Sequence, residues 1–181
     1  MAFVRLGRLR KNQITRDLVS QTKLSIDDLI LPYFVIEGKN KKELIKSMPG
    51  IYRLSINKLI ADAKEARDLG IKAILIFGIP HKKDTQGTQA YAEGGVVQKA
   101  VKAIKKNVKD IAVITDVCLC GYTLHGHCGI VRAQGRRHKA QGHIIDNDET
   151  LKILTKIALF HAKAGADLVA PSAMMDGQVR A

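Results

Sequence analysis

Three cysteines and two histidines fall within one fourteen-residue stretch, DVCLCGYTLHGHCG, residues 116–129. The chain has no other cysteine. Cys118, Cys120 and Cys128 follow the spacing C-x-C-x7-C. Thiolates are soft ligands that suit zinc, and three of them leave a fourth position open for water or substrate. C-x-C is not a standard finger spacing, so spacing alone leaves metal binding beside a second reading, three buried or incidental thiols. His125 and His127 are read as surface residues or as groups behind the ligands. Asp116, just ahead of the first cysteine, either orients a substrate amine or water, or is a strand-end carboxylate held by hydrogen bonds.

These residues need a frame to hold them. LILPYFVIEG (29–38) reads as a buried strand ended by Gly38. Ser55 is placed to cap a helix from Ile56, with Leu59, Ile60, Ala63 and Ala66 on one face and Gly70 past its end. KAILIFGIP (72–80) is a second strand, and GGVVQKAVKAIKK (94–106) a helix with Val97, Ala100, Val101 and Ile104 at helical spacing. DIAVITDVCL (110–119) is a third strand that carries Cys118. DNDETLKILTKIALFHAKAG (146–165) is a long helix, capped by Asp146 in a box with Glu149 or by Asp148. ADLVAPS (166–172) is a fourth strand.

Four continuously apolar strands alternating with helices predict an α/β protein whose sheet is parallel and buried on both faces. Right-handed crossovers place the strands side by side in chain order. A doubly wound open sheet and part of a (β/α)8 barrel both fit. Either fold collects its chemistry at the C-terminal ends of strands, where Asp116, Cys118, Cys120, Pro171 and Ser172 fall. Residues two apart on a strand point the same way, so Cys118 and Cys120 at a strand end would face one ion.

Composition narrows the function. The 181 residues predict one domain, with a basic arm over residues 1–20, and 46% of them are apolar, which argues against disorder. No apolar run reaches the roughly 18 residues of a membrane span, and the N-terminus lacks a signal-peptide block, so a cytoplasmic protein is expected. The net charge of +13 raises nucleic acid as a partner, but the basic residues are dispersed and aromatics make up only 4%. Neither a GxGxxG nor a Walker pattern occurs. No nucleic-acid or membrane partner is therefore expected, and a basic nucleic-acid-binding protein is kept only as a minor reading.

The cysteine stretch resembles the metal-binding segment of the porphobilinogen synthase (delta-aminolevulinic acid dehydratase) family. LILPYFVIEG, SMPGIYRLS, ILIFGIP, DNDETL, HAKAGADLVAPS and MMDGQV resemble that family too, in its order, so the resemblance runs from about Arg8 to Ala181. It implies a (β/α)8 TIM barrel, of which this chain covers about the first half. It further implies an arm that wraps a neighbouring subunit, commonly in a homo-octamer. The implied reaction condenses two molecules of 5-aminolevulinate into porphobilinogen with loss of two waters, an early step of haem and other tetrapyrrole synthesis. In the zinc-using branch the resemblance puts zinc on Cys118, Cys120 and Cys128; other branches depend on magnesium or another metal. It places Asp116 at the active site and Ser172 beside the substrate.

Two departures stand out. Ala173 occupies the place of an aspartate, and Gln178 that of an arginine, in many family members. The family's two Schiff-base lysines lie beyond the MMDG motif. The expectation is thus an N-terminal half, inactive alone, with its first and fourth strands as open edges and with Lys105 and Lys106 as solvated helix lysines. A non-catalytic zinc-binding or interaction module derived from the fold is the alternative.

Overall fold

The computed structural model describes residues 7–132 and 145–181. In chain order the elements are α1 (Gln13–Val19), β1 (Ile30–Ile36), β2 (Lys42–Leu44), β3 (Tyr52–Ser55), α2 (Ile56–Asp68) and β4 (Ala73–Ile79). Then follow α3 (Val96–Asn107), β5 (Ala112–Val117), β6 (Ile130–Val131), β7 (Ile145–Asp146), α4 (Asn147–Ala164) and β8 (Leu168–Pro171). Six strands make one sheet in the order β2-β3-β1-β4-β5-β8, and β6 and β7 form a separate antiparallel pair.

The four strands expected from the apolar runs are β1, β4, β5 and β8. They lie parallel, side by side and in that order. Helices α2 and α3 bury Leu59, Ala63, Val101 and Ile104 against Val35, Ile74 and Val113 of the sheet. Gly70 closes α2 at φ +97°, a backbone conformation that glycine adopts without a Cβ penalty.

Three expectations are corrected. β1 is not an edge. After Gly38 the chain runs out as β2, turns, and returns as β3, which pairs parallel with Phe34–Ile36. β5 ends at Val117, before Cys118, because Leu119 accepts the amides of Tyr122 and Thr123 and the chain turns out of the ladder. β8 is not buried: as an edge strand it leaves Leu168 53% and Val169 37% exposed.

The caps also differ in detail. Asp146 is the cap of α4, accepting from the Glu149 amide, while the Glu149 carboxylate pairs with Lys152. Ser55 starts α2 but turns its hydroxyl to the backbone of Lys41, tying the β1–β2 turn to the helix. Lys105 is paired rather than free: its Nζ lies 2.8 Å from Asp167, whose carboxylate also accepts from the Val113 amide at 2.8 Å. That contact fastens the approach to β8 onto β5. Within the expected arm, α1 has no buried residue. Residues 1–6 of the expected arm lie outside the described residues. Among the described residues no helix is long and apolar enough to cross a membrane.

Candidate metal centre

β5 carries the site to the C-terminal edge of the sheet. Asp116 is near its end, Cys118 one residue past it, and Cys120 in the turn that follows. The loop then brings Cys128 back. All three sulfurs lie within 4.8 Å of one another, with Cys118 Sγ 3.4 Å from Cys120 Sγ. A tetrahedral ion with Zn–S bonds of about 2.3 Å has sulfurs about 3.8 Å apart, so the spacing suits such an ion. Strand alternation does not produce this meeting, since Cys118 and Cys120 are both beyond β5. The turn at Leu119 does.

Exposure is graded across the three cysteines. Cys118 is buried, Cys128 half-buried and Cys120 exposed, and none forms a disulfide. Although Cys120 is exposed as a residue, partial burial of its thiol, the hydrogen bond to Cys118 and the surrounding negative groups push that thiol up to about 12. Burial and Cys118 also raise Cys128, against a backbone hydrogen bond from Met174. The protein alone thus resists three thiolates in one place. A bound dication reverses that balance, which is how a soft trithiolate site selects a metal.

The loop is pinned at both ends. Ile130 donates its amide to Thr150 Oγ1 at 2.9 Å, and that hydroxyl bonds in turn to the Asp146 carbonyl. At the other end the backbone of Leu124 and Tyr122 bonds to Asp84. Both histidines serve the loop: His125 Nδ1 accepts the His127 amide, and His127 Nδ1 accepts the Gly129 amide. Neither belongs to the group of sulfurs that could hold an ion.

Asp116 and Ser172 meet beside this cluster. Ser172 Oγ donates to Asp116 Oδ1 at 2.5 Å. Burial raises the Asp116 carboxyl above its usual range, and the Ser172 hydrogen bond opposes the rise. Ala173, next in the chain, is buried with Val117, Cys118, Leu119 and Met175. The resemblance implies an aspartate at this position, and alanine stands in its place. Gln178 is half-buried and lines an apolar groove with Leu154 and Val169. None of the described lysines is buried.

Tyr122, Gly78, Asp84 and Gly87 complete the site and escaped the sequence reading. Tyr122 is buried, and burial, Asp116 and the two nearby thiols raise its phenol. Its Oη sits where a Cβ on Gly78 would come to 2.1 Å. A glycine inside an apolar strand signals such a close approach, and Asp84 with Gly87 in DTQGT is a turn signature.

A family model for delta-aminolevulinic acid dehydratase matches residues 3–181. The delta-aminolevulinic acid dehydratase of Methanothermus sociabilis is 56% identical over 179 residues, 99% of this chain and 53% of the relative. That of a Synechocystis species is 48% identical over 178 residues, 98% of this chain and 53% of the relative. A solved structure of delta-aminolevulinic acid dehydratase (porphobilinogen synthase) from Toxoplasma gondii ME49, in complex with the reaction product porphobilinogen, matches with a TM-score of 0.87 and 37% identity. The match covers 98% of this chain and 49% of that one. The chain spans about half the length of the relatives it matches.

Proposed function

The chain belongs to the delta-aminolevulinic acid dehydratase family, and on that premise we propose that it provides the metal-holding part of a porphobilinogen synthase active site. The reaction is the condensation of two 5-aminolevulinate molecules to porphobilinogen with loss of two waters, in tetrapyrrole synthesis. The observation that carries this reading is the meeting of the Cys118–Cys120–Cys128 cluster with the Asp116–Ser172 pair at the C-terminal ends of β5 and β8.

Cys118, Cys120 and Cys128 would hold the metal, and their all-sulfur donor set favours zinc over magnesium. When bound, zinc supplies a Lewis acid with one open coordination position. Asp116 accepts from Ser172 through one oxygen, which leaves the other to accept from a substrate ammonium or to hold a proton. Its raised pKa suits proton exchange nearer neutrality than an ordinary carboxylate allows. Ser172 fixes the carboxylate's orientation. Tyr122 fills the floor behind them and excludes water.

Covalent capture of substrate needs a lysine whose amine is deprotonated by burial or by a cationic neighbour. None of the described lysines is buried, so the imine-forming groups are assigned to the part of the relatives that this chain does not span. Activity accordingly requires that part. The arm packs on a neighbouring subunit of a homo-oligomer, an octamer in the family. Ile14 and Leu18, one turn apart on α1 and 73% and 81% exposed, support this. Three free, clustered thiols suit the reducing cytoplasm.

The test is to assay the zinc-loaded chain with 5-aminolevulinate, alone and joined to the C-terminal half of a relative. Porphobilinogen should form only in the joined protein. Failure there, with the zinc bound and the protein folded, would favour a non-catalytic metal-binding module.

A further inference from the structure

The loop that carries Cys120 and Cys128 rests on a turn from a different βα connection. Asp84 lies between β4 and α3 and folds its own turn. Its Oδ1 accepts from the Gln86 amide at 2.8 Å and the Thr88 amide at 3.1 Å, and the Thr88 hydroxyl donates to Oδ2. These bonds keep the carboxylate ionised below the usual range, against its partial burial.

The turn so formed is complementary to the cysteine loop. Gly87 is buried at φ +61°. A Cβ there would stand 2.6 Å from Leu119 Cδ2 and 3.4 Å from Tyr122 Cβ. Leu119, fully buried, is the residue between Cys118 and Cys120. On the backbone side, the Asp84 amide donates to the Tyr122 carbonyl at 3.3 Å, and the Leu124 amide donates to the Asp84 carbonyl at 3.1 Å. The turn therefore grips Leu119–Leu124, the segment that sets Cys120 relative to Cys118 and launches the chain toward Cys128.

We infer that Asp84 is a positioning residue of the metal centre, which preorganises the cysteine loop by folding the 84–88 turn on which that loop is seated. Its carboxylate is taken up by three donors of its own turn, so it acts on the sulfurs through Leu119 and the backbone of Tyr122 and Leu124. Asparagine keeps an Oδ1 that accepts both amides, and the Thr88 hydroxyl can rotate to accept from the new amide group. Alanine removes all three bonds. Groups that orient ligands without touching the metal typically contribute about 10–100-fold in affinity.

The inference rests on the reading of the three cysteines as metal ligands, and the experiment separates the two. Cobalt(II) is titrated into the intact protein, into Asp84→Ala and Asp84→Asn, and into the triple variant Cys118→Ser, Cys120→Ser, Cys128→Ser. Amide hydrogen exchange is measured on the metal-free proteins. Asp84→Ala should bind cobalt about 10–100-fold more weakly yet show the parent's thiolate charge-transfer band at saturation, because the ligands are unchanged. The Leu124 amide and its neighbours should exchange faster, with α2 unaffected. Asp84→Asn should stay within about threefold of the parent. Parent-like affinity in Asp84→Ala, or unchanged exchange at Leu124, overturns the inference. Cobalt binding that survives in the triple serine variant defeats the ligand reading instead, while the exchange data still decide whether Asp84 seats the loop. Where Asp84→Ala loses its cooperative unfolding transition, Thr88→Val, which removes one of the three bonds, is read in the same way.

Discussion

Ser172 Oγ donates to Asp116 Oδ1 at 2.5 Å, joining residues 56 apart in sequence across the ends of β5 and β8. The bond gives Ser172→Ala a definite signature. Burial raises the Asp116 carboxyl and Ser172 lowers it, so removing the hydroxyl should move the carboxyl higher still. A carboxyl NMR titration of Asp116 reads the shift directly. The lost hydrogen bond to a charged acceptor should cost about 1–2 kcal/mol of stability at neutral pH, measurable by urea unfolding. Because the folded carboxyl binds its proton more tightly than the unfolded one, Asp116 weakens the fold as pH rises through its folded pKa. Asp116→Asn should flatten that part of the pH profile.

Metal binding should tighten as pH rises. The Cys120 thiol, pushed to about 12 by burial and its neighbours, must lose its proton to become a ligand. Zinc added in weak buffer at neutral pH should therefore release protons. Cys120→Ser should weaken binding by on the order of 100-fold and reduce the proton count. Calorimetry in buffers of different ionisation enthalpy measures both.

His161 supplies a separate pH dependence. It is fully buried on α4, neither ring nitrogen has a hydrogen-bond partner among the described residues, and burial depresses its pKa to about 4. The unfolded imidazole takes a proton near 6.5, so the contribution is intact above that pH and is lost as pH falls toward 4. The loss should approach about 3 kcal/mol by pH 4. His161→Phe should remove this slope, as unfolding curves from pH 7 to pH 4 would reveal.

Gly78→Ala should destabilise the fold by about 1–3 kcal/mol through overpacking. The new methyl would meet Tyr122 Oη at 2.1 Å and Val97 Cγ2 at 2.5 Å. Tyr122→Phe removes the first contact, so the double variant should lose less than the sum of the single losses. Thermal unfolding of the four proteins of that cycle tests the coupling.

The parallel order of β1, β4, β5 and β8 was legible because each strand is a continuous apolar run separated from the next by an amphipathic helix. β3 was not legible. Tyr52–Ser55 is four residues long and only half apolar, and its place beside Phe34–Ile36 depends on a hairpin return that no local pattern specifies. The cysteine cluster was legible as a candidate metal site, and its three sulfurs lie within 4.8 Å of one another. The reason for its convergence was not, since it lies in a backbone turn at Leu119 and not in strand alternation. Asp84 and Tyr122 were missed for a related cause. Their roles exist only where two βα connections touch, and each looks unremarkable within its own segment.

From β1 through β4, β5 and β8, the order of the sheet is also the order of synthesis. β3 covers part of one side of β1 early, and β4, β5 and β8 then join on the other side one after another. On that side each strand lies next to the one synthesised before it. The three clustered cysteines, confined to residues 118–128, are complete on the nascent chain before α4 or β8 exists. The bond from Ser172 to Asp116 closes only after both have emerged. Biosynthesis thus separates in time the two halves of a site that the finished protein holds side by side.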